Sequence, residues 1–194
     1  MSKGIESLPL FSCGIFKADF EALPARFQAR FKTQFLDSSL HLDPEELDRQ
    51  MLECTKNEND SFLLLYGDCA PHLLDIIHKG GSKKIHCVNC IELWLGTEKY
   101  RELKHRGSFF LLYEWVIRWE EIFKNKLGFR NKELAQEYMH ESATELVYID
   151  TGVQAIPRQI LNEAATFLGL PLRIERVSLK RLEDHLDALY EGLT

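Results

Sequence analysis

Phe62-Leu63-Leu64-Leu65-Tyr66-Gly67-Asp68-Cys69-Ala70-Pro71 is an apolar run of strand length that stops at Gly67 and passes into a proline-led helical start. A short apolar run bounded in this way reads as a strand covered on both faces, the setting of a parallel sheet. Pro71 suits a first helical turn, where no amide is needed. Outward from this stretch the same alternation recurs. Strand-like runs occur at Leu8–Ser12, Thr33–Leu36, Phe62–Tyr66, Lys84–His86, Phe109–Leu112, Leu146–Ile149 and Leu172–Val177. Helical periodicity fills Phe16–Arg30, Pro44–Lys56, Pro71–Lys79, Cys90–Leu103, Glu114–Leu127, Asn131–Glu141, Pro157–Leu168 and Leu179–Tyr190. The alternation predicts an α/β fold: an open, mostly parallel sheet with helices on both faces. A single α/β domain over residues 1–194 is the simpler organisation, and two similar lobes dividing near 79–84, at Lys79-Gly80-Gly81-Ser82-Lys83-Lys84, are the variant.

Local chemistry supports several of these helices. Asp43 can accept a bond from the free amides of the turn that begins Pro44-Glu45-Glu46, whose glutamates suit the positive helix end. Leu47, Met51 and Cys54 then share an apolar face, which places Cys54 in the core. Leu179, Leu182, Leu186 and Leu189 form another such face after Ser178, and Trp115, Trp119, Ile122 and Phe123 a third, with Gly128 as its stop.

The chain has 194 residues, 24 Lys+Arg against 30 Asp+Glu, and a formal charge of −6, so it offers no global attraction to nucleic acid or to an anionic membrane. No apolar run approaches the roughly 20 residues of a spanning helix, and no basic region followed by an apolar stretch opens the chain. A cytoplasmic protein with reduced thiols is the expectation. Its five cysteines, all within the first 90 residues, are an odd number and argue against a disulfide framework.

Position separates these cysteines. Cys69 stands between a strand and a helix start, where ligands bind in open α/β sheets and where a helix dipole favours thiolate. Cys13 has a similar setting, with an apolar run before it and Gly14 after it. Cys87-Val88-Asn89-Cys90 is a Cys-x-x-Cys pair at another strand-to-helix junction; such a pair can share a metal or form a redox disulfide, and no second pair exists to complete a zinc ribbon. If the strands are neighbours, Cys13, Cys69 and Cys90 surround one open position, and Cys87 or His86 can supply a further ligand. Asp150 ends a strand-like run and reads as a ligand contact or a turn. Glu92 and His72 are weaker candidates beside Cys90 and Cys69. His-Glu-x-x-His, Gly-x-x-x-x-Gly-Lys-Ser/Thr, Gly-x-Gly-x-x-Gly and Gly-x-Ser-x-Gly are all absent from the sequence.

Taken in order, Cys13-Gly14-Ile15-Phe16, Tyr66-Gly67-Asp68-Cys69, Cys90-Ile91-Glu92-Leu93-Trp94-Leu95-Gly96-Thr97 with Tyr100, Gly107-Ser108-Phe109-Phe110 with Trp115, and Tyr148-Ile149-Asp150-Thr151-Gly152 resemble the motifs of domain-of-unknown-function family 1638. The resemblance covers roughly residues 10–170. It implies a cytoplasmic protein of methanogens and anaerobic bacteria whose recurring cysteines match Cys13, Cys69 and Cys90, and it implies no reaction. Two departures stand out. Ala70-Pro71-His72 replaces the glycines that usually follow the second motif's cysteine, and Val88-Asn89 replaces a His-Asp pair before the third cysteine.

The leading expectation is a metal centre, zinc or an iron–sulfur cluster, on Cys13, Cys69 and Cys90 with Cys87 or His86 as a further ligand. The family's occurrence in anaerobes leans toward one-carbon or methyl-transfer metabolism, with a small-molecule substrate or a methyl-transfer partner protein; a homo-oligomer is compatible with the aromatic content. Two other readings stay open, a metal-free ligand-binding or accessory protein with core cysteines and a thiol redox enzyme using Cys87 and Cys90. Whether the chain is an enzyme is not decided by its sequence.

Overall fold

Leu63, Leu64 and Leu65 have no accessible surface, as a strand covered on both faces requires. The computed structural model describes residues 7–56, 61–78 and 82–192. Its elements run β1 (Leu8–Cys13), α1 (Lys17–Glu21), α2 (Ala25–Arg30), β2 (Phe31–Leu36), α3 (Pro44–Thr55), β3 (Leu63–Leu65), α4 (Leu73–His78), β4 (Lys83–Lys84), α5 (Cys90–Leu95), α6 (Thr97–His105), β5 (Ser108–Leu111), α7 (Tyr113–Ile117), α8 (Lys132–Ser142), β6 (Glu145–Asp150), α9 (Arg158–Leu168), β7 (Leu172–Arg176) and α10 (Lys180–Glu191). Each strand-like run of the sequence overlaps a strand, though β4 shares only Lys84 with the run Lys84–His86. All pairings are parallel, so the fold is α/β.

Three long helical stretches are interrupted, each at a visible cause or geometry. Phe16–Arg30 breaks at Pro24, which is extended (φ −52°, ψ 144°) and starts α2 afresh. Cys90–Leu103 breaks at Gly96, whose φ of 76° no β-carbon would favour. Glu114–Leu127 leaves α-geometry at Arg118 and continues as a π-helical turn over Glu120–Lys126, with the Leu127 amide donating to the Ile122 carbonyl.

The strands form two sheets, in the orders β2-β1-β3-β4 and β5-β6-β7. The chain divides into two compact units, residues 1–93 with 179–194, and residues 94–178. The expected lobe boundary near 79–84 lies in part, at 79–81, outside the described residues, and the division between the units falls after Leu93. In the first unit, β1 pairs with β2 from Leu8↔Phe31 to Cys13↔Leu36 and with β3 from Leu10↔Leu63 to Ser12↔Leu65. Phe11, Leu36, Leu47, Met51, Tyr66 and Leu73 belong to a core cluster of this unit. Helix α10 closes the unit. It buries Leu182, Leu186 and Leu189, pairs Glu183 with Arg26 at 3.3 Å and Asp187 with Arg30 at 2.6 Å, and sets Tyr190 edge-on to Phe31 at 5.9 Å.

In the second unit, β6 is central and its Leu146, Val147, Tyr148 and Ile149 are buried. Glu145 accepts a bond from Ser108 Oγ at 2.7 Å and faces Arg173 at 3.2 Å; the serine bond above all holds its carboxyl below the usual range. No helix among the described residues is long and apolar enough to cross a membrane.

Candidate functional site

The strand order of the first unit contains a switch point between β1 and β3. From β1 the chain crosses to β2 on one side, then returns to the other side of β1 for β3 and β4. Connections that leave a parallel sheet in opposite directions part at the carboxyl ends of the two strands, and ligands bind in the gap so formed. Cys13 is the last residue of β1, Cys69 follows β3, Cys87 follows β4, and Cys90 is the first residue of α5. All four thiols therefore stand beyond or at the carboxyl ends of strands of one sheet, Cys13 closing β1 and the others following β3 and β4.

Two glycines let these connections close up. A β-carbon on Gly67 would meet the Val88 carbonyl oxygen at 2.4 Å and the Asn89 Cα at 2.5 Å, and one on Gly14 would meet the Leu36 carbonyl oxygen at 2.7 Å. These contacts are with backbone, which no side-chain rotation can clear. The loops after β3 and β4 are also tied directly. The Asp68 amide donates to the Val88 carbonyl at 2.8 Å, and Lys84 Nζ reaches Asp68 Oδ1 at 2.8 Å. At the start of α5 the Val88 amide donates to Glu92 Oε2 at 2.6 Å while the Glu92 amide donates to Asn89 Oδ1 at 2.9 Å. The two bonds cap the helix, and Glu92 is buried there and not on the helix's outer surface.

The thiols share one electrostatic environment. Burial pushes the Cys13 thiol up to about 12, with the nearby Cys69 and Asp37 adding to the rise. Burial does the same to Cys87, to about 12, against the lowering effect of Lys84. Cys90 is raised well above an ordinary thiol, first by burial and then by Cys13, Cys69 and Cys87. Cys69 is raised by burial too, although a backbone bond at Gly67 and the Lys84 ammonium favour its ionised form. Cys13, Cys69 and Cys90 nevertheless keep some accessible surface, whereas Cys87 is buried.

Tyr66 is the residue that sequence reasoning missed. It is 3% exposed and its hydroxyl has no hydrogen-bond partner among the described residues, while Cys13, Cys69, Cys54 and Asp37 lie close enough to raise its ionisation further after burial. A hydroxyl ending an otherwise apolar run was the available signal.

The other candidates separate from this group. Cys54 packs against the core and accepts from Gln34 Nε2 at 3.0 Å, as its helical spacing suggests. His86 is exposed and lines, with His185, Lys83 and Leu189, a cavity of about 220 Å³. Exposed His72 faces Asp75 at 3.4 Å. Asp150 is buried, accepts from the Gly152 amide at 3.0 Å and faces Arg176 at 3.6 Å, which makes it a turn-forming carboxylate. Among the described residues, no three His, Cys, Asp or Glu side chains are arranged to hold a metal ion as they stand. The thiols are neighbours without converging.

A family model described as "Protein of unknown function (DUF1638)" matches residues 35–186. The match spans Cys69, Cys87 and Cys90 and begins after Cys13. No curated protein and no solved structure matches the chain.

Proposed function

We propose, on the premise that this chain belongs to the DUF1638 family of proteins of unknown function, that its first compact unit takes up a thiophilic metal centre, zinc or an iron–sulfur cluster, on Cys13, Cys69 and Cys90. Cys87 is the fourth thiol of the set, and it displaces His86, which lines a separate cavity with His185. The observation that carries the reading is the placing of four thiols at the carboxyl ends of the neighbouring strands β1, β3 and β4 of one parallel sheet. Ligation requires the thiols to turn toward one another, and staggered rotamers about each Cα–Cβ bond give the sulfurs discrete alternative positions.

The chemistry of the donors favours this over a redox or nucleophilic thiol. A reactive cysteine needs a depressed pKa, and burial raises all four of these. Desolvated thiols that also repel one another when charged ionise together only if a soft cation replaces their protons. When bound, zinc supplies a Lewis acid for methyl or alkyl transfer to or from sulfur, and a three-cysteine cluster leaves one iron open to substrate. Around such a centre Lys84 holds Asp68 in place, and the Asn89–Glu92 cap holds Cys90 at the head of α5. The corresponding substrate is a small methylated or alkylated molecule, delivered free or by a partner protein.

Anaerobic titration with cobalt(II) tests the reading through the near-ultraviolet thiolate-to-cobalt band. Because the Cys13 and Cys87 thiols are held near 12, they are protonated across the neutral range, and each proton must leave on binding. Apparent affinity should therefore climb by about tenfold per pH unit for every thiol engaged, with no levelling near the ordinary thiol value. Absence of the band, with thiols that ignore alkylating reagents, would instead support a metal-free protein with core cysteines.

A further inference from the structure

Helix α10 works through two faces. Glu183, Asp187 and Tyr190 meet Arg26, Arg30 and Phe31 on the β2 side of the first unit, while His185, Leu189 and Gly192, at helical spacing, turn toward β4 at the other edge of the sheet. Between this second face and the strand lies the cavity of about 220 Å³. Buried Ile85 and Leu189 give it apolar walls. Its titratable lining is wholly basic, made by Lys83, Lys84, His86 and His185. In a chain where acids outnumber bases by 30 to 24, no carboxylate lines it. Part of this lining has a structural use. Lys83 Nζ donates to the Gly192 carbonyl and so answers the negative end of α10. Lys84 Nζ is committed to Asp68 Oδ1 at 2.8 Å and to the Ile85 carbonyl at 3.1 Å, and lends the cavity its charge and its stem. The two imidazoles have no such use, since neither makes a hydrogen bond among the described residues. Burial, then Arg181, hold His185 toward its neutral form; His86 adds to this, and Asp184 and Glu92 oppose it. An anion in the cavity would relieve that crowding of positive charge.

We propose that this cavity binds a small phosphate group, free or as a monoester, through Lys83 and the N–H groups of His86 and His185. An ammonium has three donors, and the bond to Gly192 leaves two of them for a ligand. Each neutral imidazole offers one N–H, and apolar walls strengthen bonds to a charged oxygen. Three separate donor groups and the Lys84 charge suit a dianion with oxygens on several sides better than a carboxylate with two. The volume is about seven times the roughly 30 Å³ of one water, room for a tetrahedral oxyanion with a small substituent. It falls below the roughly 300–1,000 Å³ of sites for drug-sized ligands, so the ligand is small. Nothing in this site requires the thiols to hold a metal.

Calorimetric titration with inorganic phosphate at low ionic strength tests the site. The parent should bind one phosphate saturably. Lys83→Met should bind it about tenfold or more weakly and His185→Leu about fivefold more weakly, the contributions of a charged and of a neutral hydrogen bond. Lys32→Met removes the same charge from β2, at the opposite edge of the sheet, and should leave the affinity unchanged. His185→Leu has no hydrogen bond to lose, so its urea unfolding should match the parent's, and it carries the test if Lys83→Met frees the end of α10. Methyl phosphate separates the two sources: tighter binding than inorganic phosphate assigns the site to a monoester, and weaker binding assigns it to free phosphate. No saturable binding by the parent would overturn the proposal. So would parental affinity in His185→Leu, a loss in Lys32→Met as large as in Lys83→Met, or acetate bound as tightly as phosphate.

Discussion

Gly67→Ala is expected to destabilise the first compact unit by about 3 kcal/mol or more, and with it to disperse the thiol group. The added carbon would sit 2.4 Å from the Val88 carbonyl oxygen, 2.5 Å from the Asn89 Cα and 2.6 Å from the Asn89 nitrogen. Relief requires moving one backbone loop off another. Such a movement breaks the Asp68 amide bond to Val88 and pulls apart the connections that bear Cys69 and Cys87. Gly128 provides the comparison: nothing lies within 4 Å of its β-carbon position, but its φ is +78°, so alanine there costs about 1–2 kcal/mol from backbone strain alone. Urea unfolding, followed by hydrogen exchange at the amides of β3 and α5, reads both variants. A Gly67→Ala protein as stable as the parent would mean that the loops after β3 and β4 do not meet in this way.

Cys90→Ser is expected to weaken cobalt binding by at least about 100-fold, because even residues that only support a ligand are worth 10–100-fold. After burial, Cys13, Cys69 and Cys87 each raise the Cys90 thiol further, so all three lie near it. A hydroxyl at that position is nearly isosteric but is a poor ligand for a soft cation. Stability without metal should fall by about 1–3 kcal/mol, because a hydroxyl costs more than a thiol to bury, and the affinity is therefore read on the folded protein. Cys54→Ser is the control, since that sulfur is occupied with Gln34 on the core side of α3 and belongs to no shared site. If the two serine variants bind cobalt equally, Cys90 is not a ligand.

Much of this arrangement is legible in the residues. Apolar runs of strand length, each followed by a helical period, locate all the strands, and Asp43 before Pro44 marks the start of α3, where its carboxylate does accept the Glu46 amide at 3.2 Å. The interruptions are legible in principle. Pro24 and Gly96 sit inside stretches whose apolar spacing runs on through them, and the spacing outweighed the breakers. Strand partnership is a different matter. Nothing local in Leu179-Lys180-Arg181-Leu182 says that α10 returns to the first unit, because that choice is made by distant groups such as Arg26, Arg30 and Phe31.

The site divides in the same way. Strand-end placement singles out Cys13, Cys69 and Cys90, and helical spacing sets Cys54 aside. Burial separates His86 from its neighbours only in the folded chain: Ile85 and Cys87 are buried while His86 between them is exposed. Tyr66 was hidden by its company. Closing a run of leucines, it reads as one more core ring, and only the folded chain shows that its oxygen is enclosed with no partner among the described residues.

The central claim is that the crevice thiols ligate a metal together, and X-ray absorption at the zinc edge of the anaerobically loaded protein tests it most directly. The account expects three or four sulfur neighbours at about 2.3 Å, with one sulfur fewer in Cys90→Ser. A first shell of nitrogen and oxygen only, or a sulfur shell that Cys13, Cys69 and Cys90 substitutions leave untouched, would contradict it.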